Sequence, residues 1–258
     1  LMTKPVDPED LEARLRELLP RWRTHDGPAA VVAVGTAPGE IEMGCGGALA
    51  AHHAAGHHVV LVIPHPNSDD ERTAERLEKA AENLGAGVVV TRSAEDMAAA
   101  LTRLSRELLP QWAYLPSAAD REETRREIHT IARAALANVP TLLGYAGPGT
   151  SLDFAPDVFR DVGGWMDAKL GALAFHHGEA GDPATSPDFA IAHARYWGRF
   201  NEFGEVEPFE LLDGRHAAGS DREADSDAAD ATGEPSRPPP WVPPHLPGFE
   251  PLAPADTS

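Results

Sequence analysis

The segment 36–47, TAPGEIEMGCGG, lies where an α/β enzyme usually holds a metal, a phosphate or a catalytic carboxylate. It follows a run of small apolar residues, Ala29–Val34, which predicts a buried strand, and its glycine cluster opens into an alanine-rich segment that predicts a helix. Few groups in it can do chemistry, among them the Glu40 carboxylate and the Cys45 thiol. The segment therefore has the position of an active-site loop but little of the expected chemistry.

Strands and helices alternate along most of the chain. Short β-branched runs predict the strands AAVVAVG, HVVLVIP, GVVVT, WAYLPS and TLLGYA. Apolar residues at helical spacing predict helices at 46–55, in DDERTAERLEKAAENLG, at 95–109 and at 122–136. Continuous apolar strands separated by helices are typical of a mostly parallel sheet covered on both faces. The predicted fold class is therefore α/β and Rossmann-like.

Composition divides the chain into three regions. Residues 1–28 contain a predicted helix, VDPEDLEARLRELLPRW, and residues 29–212 form the α/β domain. Residues 213–258 are acidic and then proline-rich, and we expect disorder because they bury too little apolar surface to offset the cost of ordering. Within them, PPPWVPPHLPGF has the composition of a docking peptide for a protein partner, although a segment without function fits the pattern equally well.

Charge and cysteine content exclude several classes of function. The formal net charge of −19 argues against nucleic acid or an anionic membrane as the main partner, because phosphate binding needs clustered Lys and Arg. The single cysteine excludes an internal disulfide and a cysteine-built zinc site. No stretch approaches the ~20 apolar residues of a membrane span, and residues 1–9 do not form a signal peptide. We therefore expect a cytoplasmic protein.

The order of these segments resembles the LmbE-like, or PIG-L, family of zinc-dependent de-N-acetylases. The first motif of that family, roughly A-H-P-D-D-E-x-L-G-C-G-G, is similar to segment 36–47. The other matching segments are RLEKAAENLGA, LPSAAD, DVFRDVGGWMDAKLGALAFHH and ARYWGRFNEFGEVEPFELL, which extend the resemblance from about Ala29 to Leu212. The resemblance implies the LmbE-like α/β fold, a zinc cofactor, and amide hydrolysis on N-acetylated amino sugars and related conjugates.

The first motif departs from the family at the positions that carry its chemistry. The resemblance places the zinc-binding His at Ala37, the general-base Asp at Gly39 and the zinc-binding Asp at Glu40. The Glu that follows in the family is replaced by Ile41. Of these residues, only Glu40 has a side chain that can bind a metal.

The second family motif, D-x-H-x-D-H, is also incomplete. Asp120 matches its first position, but Glu122 and Arg125 stand where the family has its two histidines, and Thr124 replaces the internal Asp. The last of those histidines is the third zinc ligand in the family. Arg125 would therefore place a permanent cation where a ligand should approach Zn²⁺.

These replacements together predict that the de-N-acetylase centre is lost. Catalytic zinc needs three protein ligands and an open position for water, whereas Ala37 cannot bind a metal and Glu40 cannot hold one alone. Gly39 removes the base that would activate the water. We therefore expect no zinc cofactor and no confident catalytic residue, and a non-catalytic binding or partner subunit. An amino-sugar-like small molecule remains a candidate ligand for the inherited pocket.

Two other functions stay open at this point. A repurposed, metal-independent enzyme could use Glu40, Asp120, Glu122 and Arg125 as acid, base and anion contact. A zinc-dependent de-N-acetylase with an unusual ligand set is the second alternative. For Arg125 itself, we prefer a structural salt bridge with Glu40 over contact with a substrate.

Three further features have a structural and a functional interpretation. His129 lies one turn beyond Arg125 and could join Glu40 and Asp120 as a metal ligand, although a packed or solvated histidine is the commoner case. Cys45 at a helix N-terminus could have a lowered thiol pKa, but we prefer a packing role. The tract AAHHAAGHH could bind transition metals adventitiously, and we again prefer a structural role for its histidines, His52, His53, His57 and His58.

Overall fold

One seven-stranded sheet organises the protein. A computed structural model describes residues 29–64, 71–176, 185–200 and 204–212. The strands are β1 (Ala30–Val34), β2 (His58–Pro64), β3 (Ala86–Thr91), β4 (Trp112–Pro116), β5 (Thr141–Tyr145), β6 (Val158–Asp161) and β7 (Val206–Leu211). Their order in the sheet is β3-β2-β1-β4-β5-β7-β6. Strands β1 to β5 are parallel, whereas β7 pairs antiparallel with both β5 and β6. The predicted α/β class with a mostly parallel sheet is confirmed.

The connections between strands are mainly helical. The helices are α1 (Glu40–Ala54), α2 (Glu71–Asn83), α3 (Ala94–Leu108), α4 (Glu123–Ala135), α5 (Met166–Ala174) and α6 (Pro187–Gly198). The predicted helices that correspond to α2, α3 and α4 end within two residues of these bounds. The predicted start of the first helix at residue 46 is wrong by six residues.

Most of the segment predicted as an active-site loop is helical. Helix α1 begins at Glu40, directly after Gly39, whose φ of +85° is in the left-handed region that favours glycine. The helix has a kink at Cys45, where φ is −145°. A Cβ atom at Gly44 would overlap the ring of Tyr145, so this glycine permits close contact between α1 and β5. The glycine cluster indicated a loop in the sequence because its packing role was not visible there.

Both faces of the sheet are covered, which explains its continuous apolar strands. In β1, Val31 and Ala33 contribute to one core cluster, together with residues of α1, α2 and α5. Val32 and Val34 contribute to the other cluster, together with residues of α3 and α4. The alternation within one strand therefore fixes the two layers between which the sheet lies.

A buried ion pair stabilises the kink in α1. The Glu207 carboxylate of β7 accepts hydrogen bonds from the backbone N–H groups of Gly47 at 2.9 Å and Ala48 at 2.8 Å. Lys169 Nζ of α5 donates to Glu207 Oε1 at 2.7 Å and to the carbonyl oxygen of Met43 at 2.7 Å. The carboxylate therefore satisfies the amide groups that begin the second part of the helix.

Several expectations lie outside the described residues. The helix predicted within residues 1–28, the acidic and proline-rich region 213–258 and the docking peptide within it are among them. Across the described ranges, no helix combines the length and apolar character that crossing a membrane requires.

Candidate functional site

The candidate site lies at the carboxyl ends of β1, β4 and β5. After these strands the chain continues into the segments 35–40, 117–122 and 146–150, respectively. Strand β1 lies between β2 and β4 in the sheet. After β1 the chain adds β2 and β3 on one side of it and then β4 and β5 on the other side, so the direction of strand addition reverses at β1. In open α/β sheets, ligands bind at such a switch point.

Arg125 is the centre of a charged cluster at this position. Its Nε atom lies 3.0 Å from Oε1 of Glu40, and its Nη1 atom lies 2.8 Å from Oε1 of Glu122. Nη1 is also 3.6 Å from Oδ1 of Asp120, which is too long for a hydrogen bond. The Glu40 and Asp120 side chains are buried, whereas the Glu122 side chain is 62% exposed. The structure thus brings together the four charged residues that the sequence singled out.

The contact between Arg125 and Glu40 is a charge contact rather than a hydrogen bond. Arg125 Nε, Arg125 Nη1 and Glu40 Oε1 are all buried, and none has a partner at hydrogen-bonding geometry. The other Glu40 oxygen, Oε2, accepts hydrogen bonds from the backbone N–H of Thr36 at 2.7 Å and from the Thr36 hydroxyl. Hydrogen bonds therefore fix only one of the two oxygens of the Glu40 carboxylate.

Burial raises the pKa of Glu40 above its ordinary value. The hydrogen bonds from Thr36 and the positive charge of Arg125 oppose this effect, and the net change in pKa is still upward. Burial alone would lower the pKa of Arg125, but the carboxylates of Glu40, Asp120 and Glu122 outweigh burial and raise it. The guanidinium therefore keeps its proton, while Glu40 is the group that would accept one.

The segment after β5 packs directly against the charged cluster. Asp120 and Thr150 form an isolated antiparallel bridge, and Arg121 N donates to the Gly149 carbonyl at 3.1 Å. A Cβ atom at Gly149 would overlap Arg125 Nη1 and Asp120 Oδ1. This contact explains how charged groups at a sheet-end crevice can be so deeply buried.

Position 39 favours glycine over residues with a side chain. Gly39 has the left-handed φ of +85°, and a Cβ there would lie 3.2 Å from Cγ2 of Thr185 and 3.4 Å from Cβ of His176. The backbone and the neighbouring side chains are thus both arranged around a glycine. A side chain at the place where the resemblance puts the general base would therefore be strained in its backbone and crowded by Thr185.

Sequence reasoning missed a second carboxylate contact in this region. Nε2 of His176 lies 3.0 Å from Oε1 of Glu42, and both side chains are at most 4% exposed. The other carboxylate oxygen of Glu42 is buried without a hydrogen-bond partner. Glu42 lies within the first quoted motif and His176 within the segment DVFRDVGGWMDAKLGALAFHH, but neither was singled out, because no local pattern joins residues 134 positions apart.

His129 makes its hydrogen bond away from the carboxylate cluster. Its Nδ1 atom lies 2.7 Å from the carbonyl oxygen of Pro116, and the residue is 4% exposed. Burial lowers the pKa of His129, although the Pro116 carbonyl opposes that effect. The structure therefore places His129 in a packed role and does not bring it to Glu40 as a ligand.

Cys45 and the histidine tract also have structural environments. Cys45 is fully buried, and burial raises the pKa of its thiol, which is the opposite of what a helix N-terminus would do. His52 is buried against Tyr114, whereas His57 stacks on Trp112. These contacts lie at the amino ends of β2 and β4, the opposite edge of the sheet from Arg125.

The described residues around Arg125 are not arranged to hold a zinc ion. In the ranges that the structure describes, no three His, Cys, Asp or Glu side chains converge as a metal would require. Asp120, Glu122 and Glu40 instead converge on Arg125, whose guanidinium has no lone pair to offer and repels a divalent cation. Ala37 has no donor atom at all.

Comparison with known proteins finds a curated relative and several solved structures with a similar fold. No family model matches the sequence. The chain is 26% identical over 165 residues to the uncharacterized deacetylase YaiS of Escherichia coli K12, and the match covers 57% of this chain and 89% of YaiS.

Two solved structures share the architecture. The N,N'-diacetylchitobiose deacetylase of Pyrococcus horikoshii has a TM-score of 0.56 at 18% identity, covering 83% of this chain and 96% of that one. GalB, the 4-carboxy-2-hydroxymuconate hydratase of Pseudomonas putida KT2440, has a TM-score of 0.61 at 15% identity, covering 78% and 100%. The expected LmbE-like α/β fold is confirmed. The two neighbours are named for different reactions, so the fold alone does not determine the chemistry.

Proposed function

We propose that this chain is an LmbE-like protein that has lost zinc and de-N-acetylase activity and acts as a non-catalytic binding or partner subunit. The observation that carries the proposal is the buried Arg125 guanidinium, which lies among Glu40, Asp120 and Glu122 where the resemblance places the metal. The positive charge of the guanidinium compensates the buried carboxylates there, so that no metal ion is needed for this. The similarity to deacetylases supports the LmbE-like part of the proposal.

The surroundings of Gly39 support the same proposal. A replaced base could in principle be restored by one substitution, but His176 and Thr185 lie against the position and its φ is positive. Loss of the base is therefore accompanied by a local backbone and packing that suit glycine. This is what we expect of a site that no longer activates water.

Metal content of the untagged protein is the first test. After dialysis against stoichiometric zinc, mass spectrometry should find far less than one tightly held zinc per chain, because three ligands are needed to hold it. About one zinc per chain would contradict the proposal. A variant with His53→Asn, His57→Asn and His58→Asn is the control, since zinc lost with these substitutions was bound adventitiously by the tract.

Restoration of the ligands is the second test. The variant Ala37→His, Glu40→Asp, Arg125→His replaces the three ligand positions that the resemblance assigns, and it should gain zinc if those positions are correct. Addition of Gly39→Asp should then be tested separately, because it introduces strain at a positive φ. If the folded ligand variant still fails to bind zinc, the assignment of Ala37 and Arg125 to the metal site is wrong.

A metal-independent enzyme is the second candidate. The raised pKa of Glu40 and the neighbouring pair Glu42–His176 are the observations in its favour, because perturbed carboxylates and carboxylate–imidazole pairs serve proton transfer. The burial of Glu40, only 1% exposed, favours a structural role instead. Glu40→Gln, Glu42→Gln and His176→Asn, tested on any activity found, would separate the two roles.

The zinc-dependent de-N-acetylase remains the third candidate and is tested by the same metal measurement. The proline-rich docking peptide and an amino-sugar-like ligand both stay predictions. Binding of N-acetylglucosamine and glucosamine by calorimetry, with and without zinc, would test the ligand directly. Binding that needs zinc would favour the third candidate over the proposal.

A further inference from the structure

A second polar cluster lies at the amino-terminal edge of the sheet, and the candidate site does not use it. At its centre is His52, in the last turn of α1, which is 3% exposed. Its neighbours are His57 in the turn before β2, Trp112 and Tyr114 of β4, and Arg160 of β6. We call these five residues the His52 cluster.

Hydrogen bonding fixes the protons of this cluster. Arg160 Nη1 lies 3.1 Å from Nε2 of His52, and a guanidinium can only donate, so this Nε2 carries a lone pair. The Tyr114 hydroxyl lies 2.9 Å from the same Nε2, whose single lone pair is shared between the two donors. The proton of neutral His52 is then on Nδ1, which lies 2.9 Å from Nδ1 of His57. The His57 Nδ1 must accept, so the proton of His57 is on its Nε2.

An additional proton is incompatible with these contacts. On His57 it would place two N–H groups against each other at 2.9 Å, and on His52 it would place an N–H against the guanidinium of Arg160. We infer that the His52 cluster is an acid-sensitive switch, in which proton uptake by His52 or His57 breaks their contact and releases the turn between α1 and β2.

The surrounding charges favour the neutral form of both rings. Burial lowers the pKa of His52 most, and Arg160 and His57 lower it further. Burial, Arg160 and His58 lower the pKa of His57. Tyr114 of β4 is a further titratable group that faces His52. Within the described ranges, no carboxylate is among the charges that act on either ring.

The turn has room to move when the contact breaks. Gly56 has a φ of +83°, and a Cβ there would have no atom within 4 Å. The His57 ring, stacked on Trp112 at 4.9 Å, also borders an open groove of about 230 Å³. The remaining groove residues are His53, Gly56, His58, Val59, Gly85 and Gly87. The His57 side chain is only half-buried in the closed turn, so a protonated ring can turn from Trp112 into the groove and become more exposed to water.

The direction of the pH effect follows from these pKa changes. In the open turn, each ring has a pKa near its ordinary value of about 6.5. As the pH falls below that value, the open form takes up protons before the closed form does. The open population should therefore rise by up to about tenfold per pH unit for each proton taken up.

Hydrogen exchange of the full-length chain tests this inference. We would measure peptides that cover residues 50–60 at about pH 7.5 and about pH 5.5, corrected for the intrinsic exchange rate. Their protection should fall at the lower pH more than that of peptides from β1. His57→Asn keeps an acceptor oxygen for His52 and removes one proton site, so it should reduce the pH dependence. His53→Asn is the matched control, because this exposed histidine of the same stretch is not among the charges that act on His52 or His57, and the variant should retain the pH dependence.

Equal protection of the turn at both pH values would overturn the inference. An unchanged pH dependence in folded His57→Asn would also overturn it, because His57 would then not be the group that titrates. If His57→Asn does not fold, the difference in fluorescence between wild type and Trp112→Phe gives a second measurement. Because protonated His57 leaves the Trp112 ring, the surroundings of this indole change, so this difference should change below about pH 6.5. A difference that stays constant would count against the switch.

Discussion

Two buried ion pairs hold the first turns of α1, and they differ in how well they are satisfied. At the kink, Glu207 accepts from Lys169 and from the backbone N–H groups of Gly47 and Ala48, and Lys169 also donates to a backbone carbonyl. At the start of the helix, Glu40 faces Arg125 at 3.0 Å without hydrogen-bonding geometry. The first pair thus has hydrogen-bond partners for both carboxylate oxygens, whereas in the second only Glu40 Oε2, which accepts from Thr36, is hydrogen-bonded.

This difference supports the proposal that Arg125–Glu40 replaces a former functional site, whereas Lys169–Glu207 has a structural role. A buried pair offsets its desolvation only with good geometry and additional hydrogen bonds, which Lys169–Glu207 has. In Arg125–Glu40 the two charged groups lack hydrogen-bonding geometry toward each other, and the pair lies where the resemblance places zinc. Under the proposed function, the first pair is needed for folding and the second takes the place of a group that is no longer bound.

Lys169→Met should have the largest effect on stability. It leaves the Glu207 carboxylate buried without its cation, and breaking such a pair costs about 3–5 kcal/mol. Chemical denaturation at neutral pH measures the loss. Lys79→Met, which removes an exposed and solvent-screened pair with Glu75, should have almost no effect. A similar small loss for Lys169→Met would mean that the two buried pairs are not different in kind.

Arg125→Met should cost less, about 1–3 kcal/mol at neutral pH, because the contact that it breaks has no aligned hydrogen bond. The Glu40 carboxylate can also take up a proton. The double variant Glu40→Gln, Arg125→Met should recover most of the loss, since no buried charge remains. Recovery by less than half would indicate that Arg125 makes a specific contact beyond charge compensation.

The pH dependence of stability gives a further test of the contact between Arg125 and Glu40. Burial raises the native-state pKa of Glu40 above its unfolded value, so this group destabilises the fold as pH rises through the native pKa. Arg125 opposes that rise in pKa, so Arg125→Met should raise the native-state pKa of Glu40 further and widen the pH range over which stability is lost. The variant should therefore lie closer to wild type at about pH 5 than at about pH 7. The double variant, without Glu40, should lose this dependence.

Gly149→Ala should cost about 1–3 kcal/mol, because its Cβ would overlap Arg125 Nη1 and Asp120 Oδ1. In the Arg125→Met background the cost should fall, since one of the two overlaps is removed. Gly164→Ala is the matched control, because a Cβ at that position would have nothing within 4 Å. Strictly additive costs would show that the segment after β5 does not pack on the charged cluster as described.

The fold could be predicted from the sequence largely because each strand carries its own signal. The run that forms β1 is apolar along its whole length and the run that forms β2 is apolar after His58, as expected of strands covered on both faces. The start of α1 could not be predicted in this way. Gly44 and Gly39 are needed for a contact with Tyr145 and for a positive φ, and a glycine needed for packing has no local signature that separates it from one in a loop.

The candidate site was predictable where a motif could be compared position by position. Arg125 and Glu40 were identified from the two departures from the family pattern, and they are in contact. Glu42–His176 was not identified, because the structure rather than the spacing brings them together. The protons of the His52 cluster also depend on Arg160, which is distant in sequence. Such contacts follow from the packing of several elements and have no short-range pattern.

Glu122→Gln should have the smallest effect and marks the outer limit of the charged cluster. Glu122 Oε1 is only 2.8 Å from Arg125 Nη1, but the side chain is 62% exposed, so water screens the contact. We expect a loss of about 0.5 kcal/mol or less at low salt and almost none at high salt. Denaturation at the two salt concentrations measures it, with Glu40→Gln as the buried counterpart in contact with the same arginine. A loss for Glu122→Gln that is large and independent of salt would place this carboxylate inside the cluster, and Arg125 would then depend on three carboxylates rather than two.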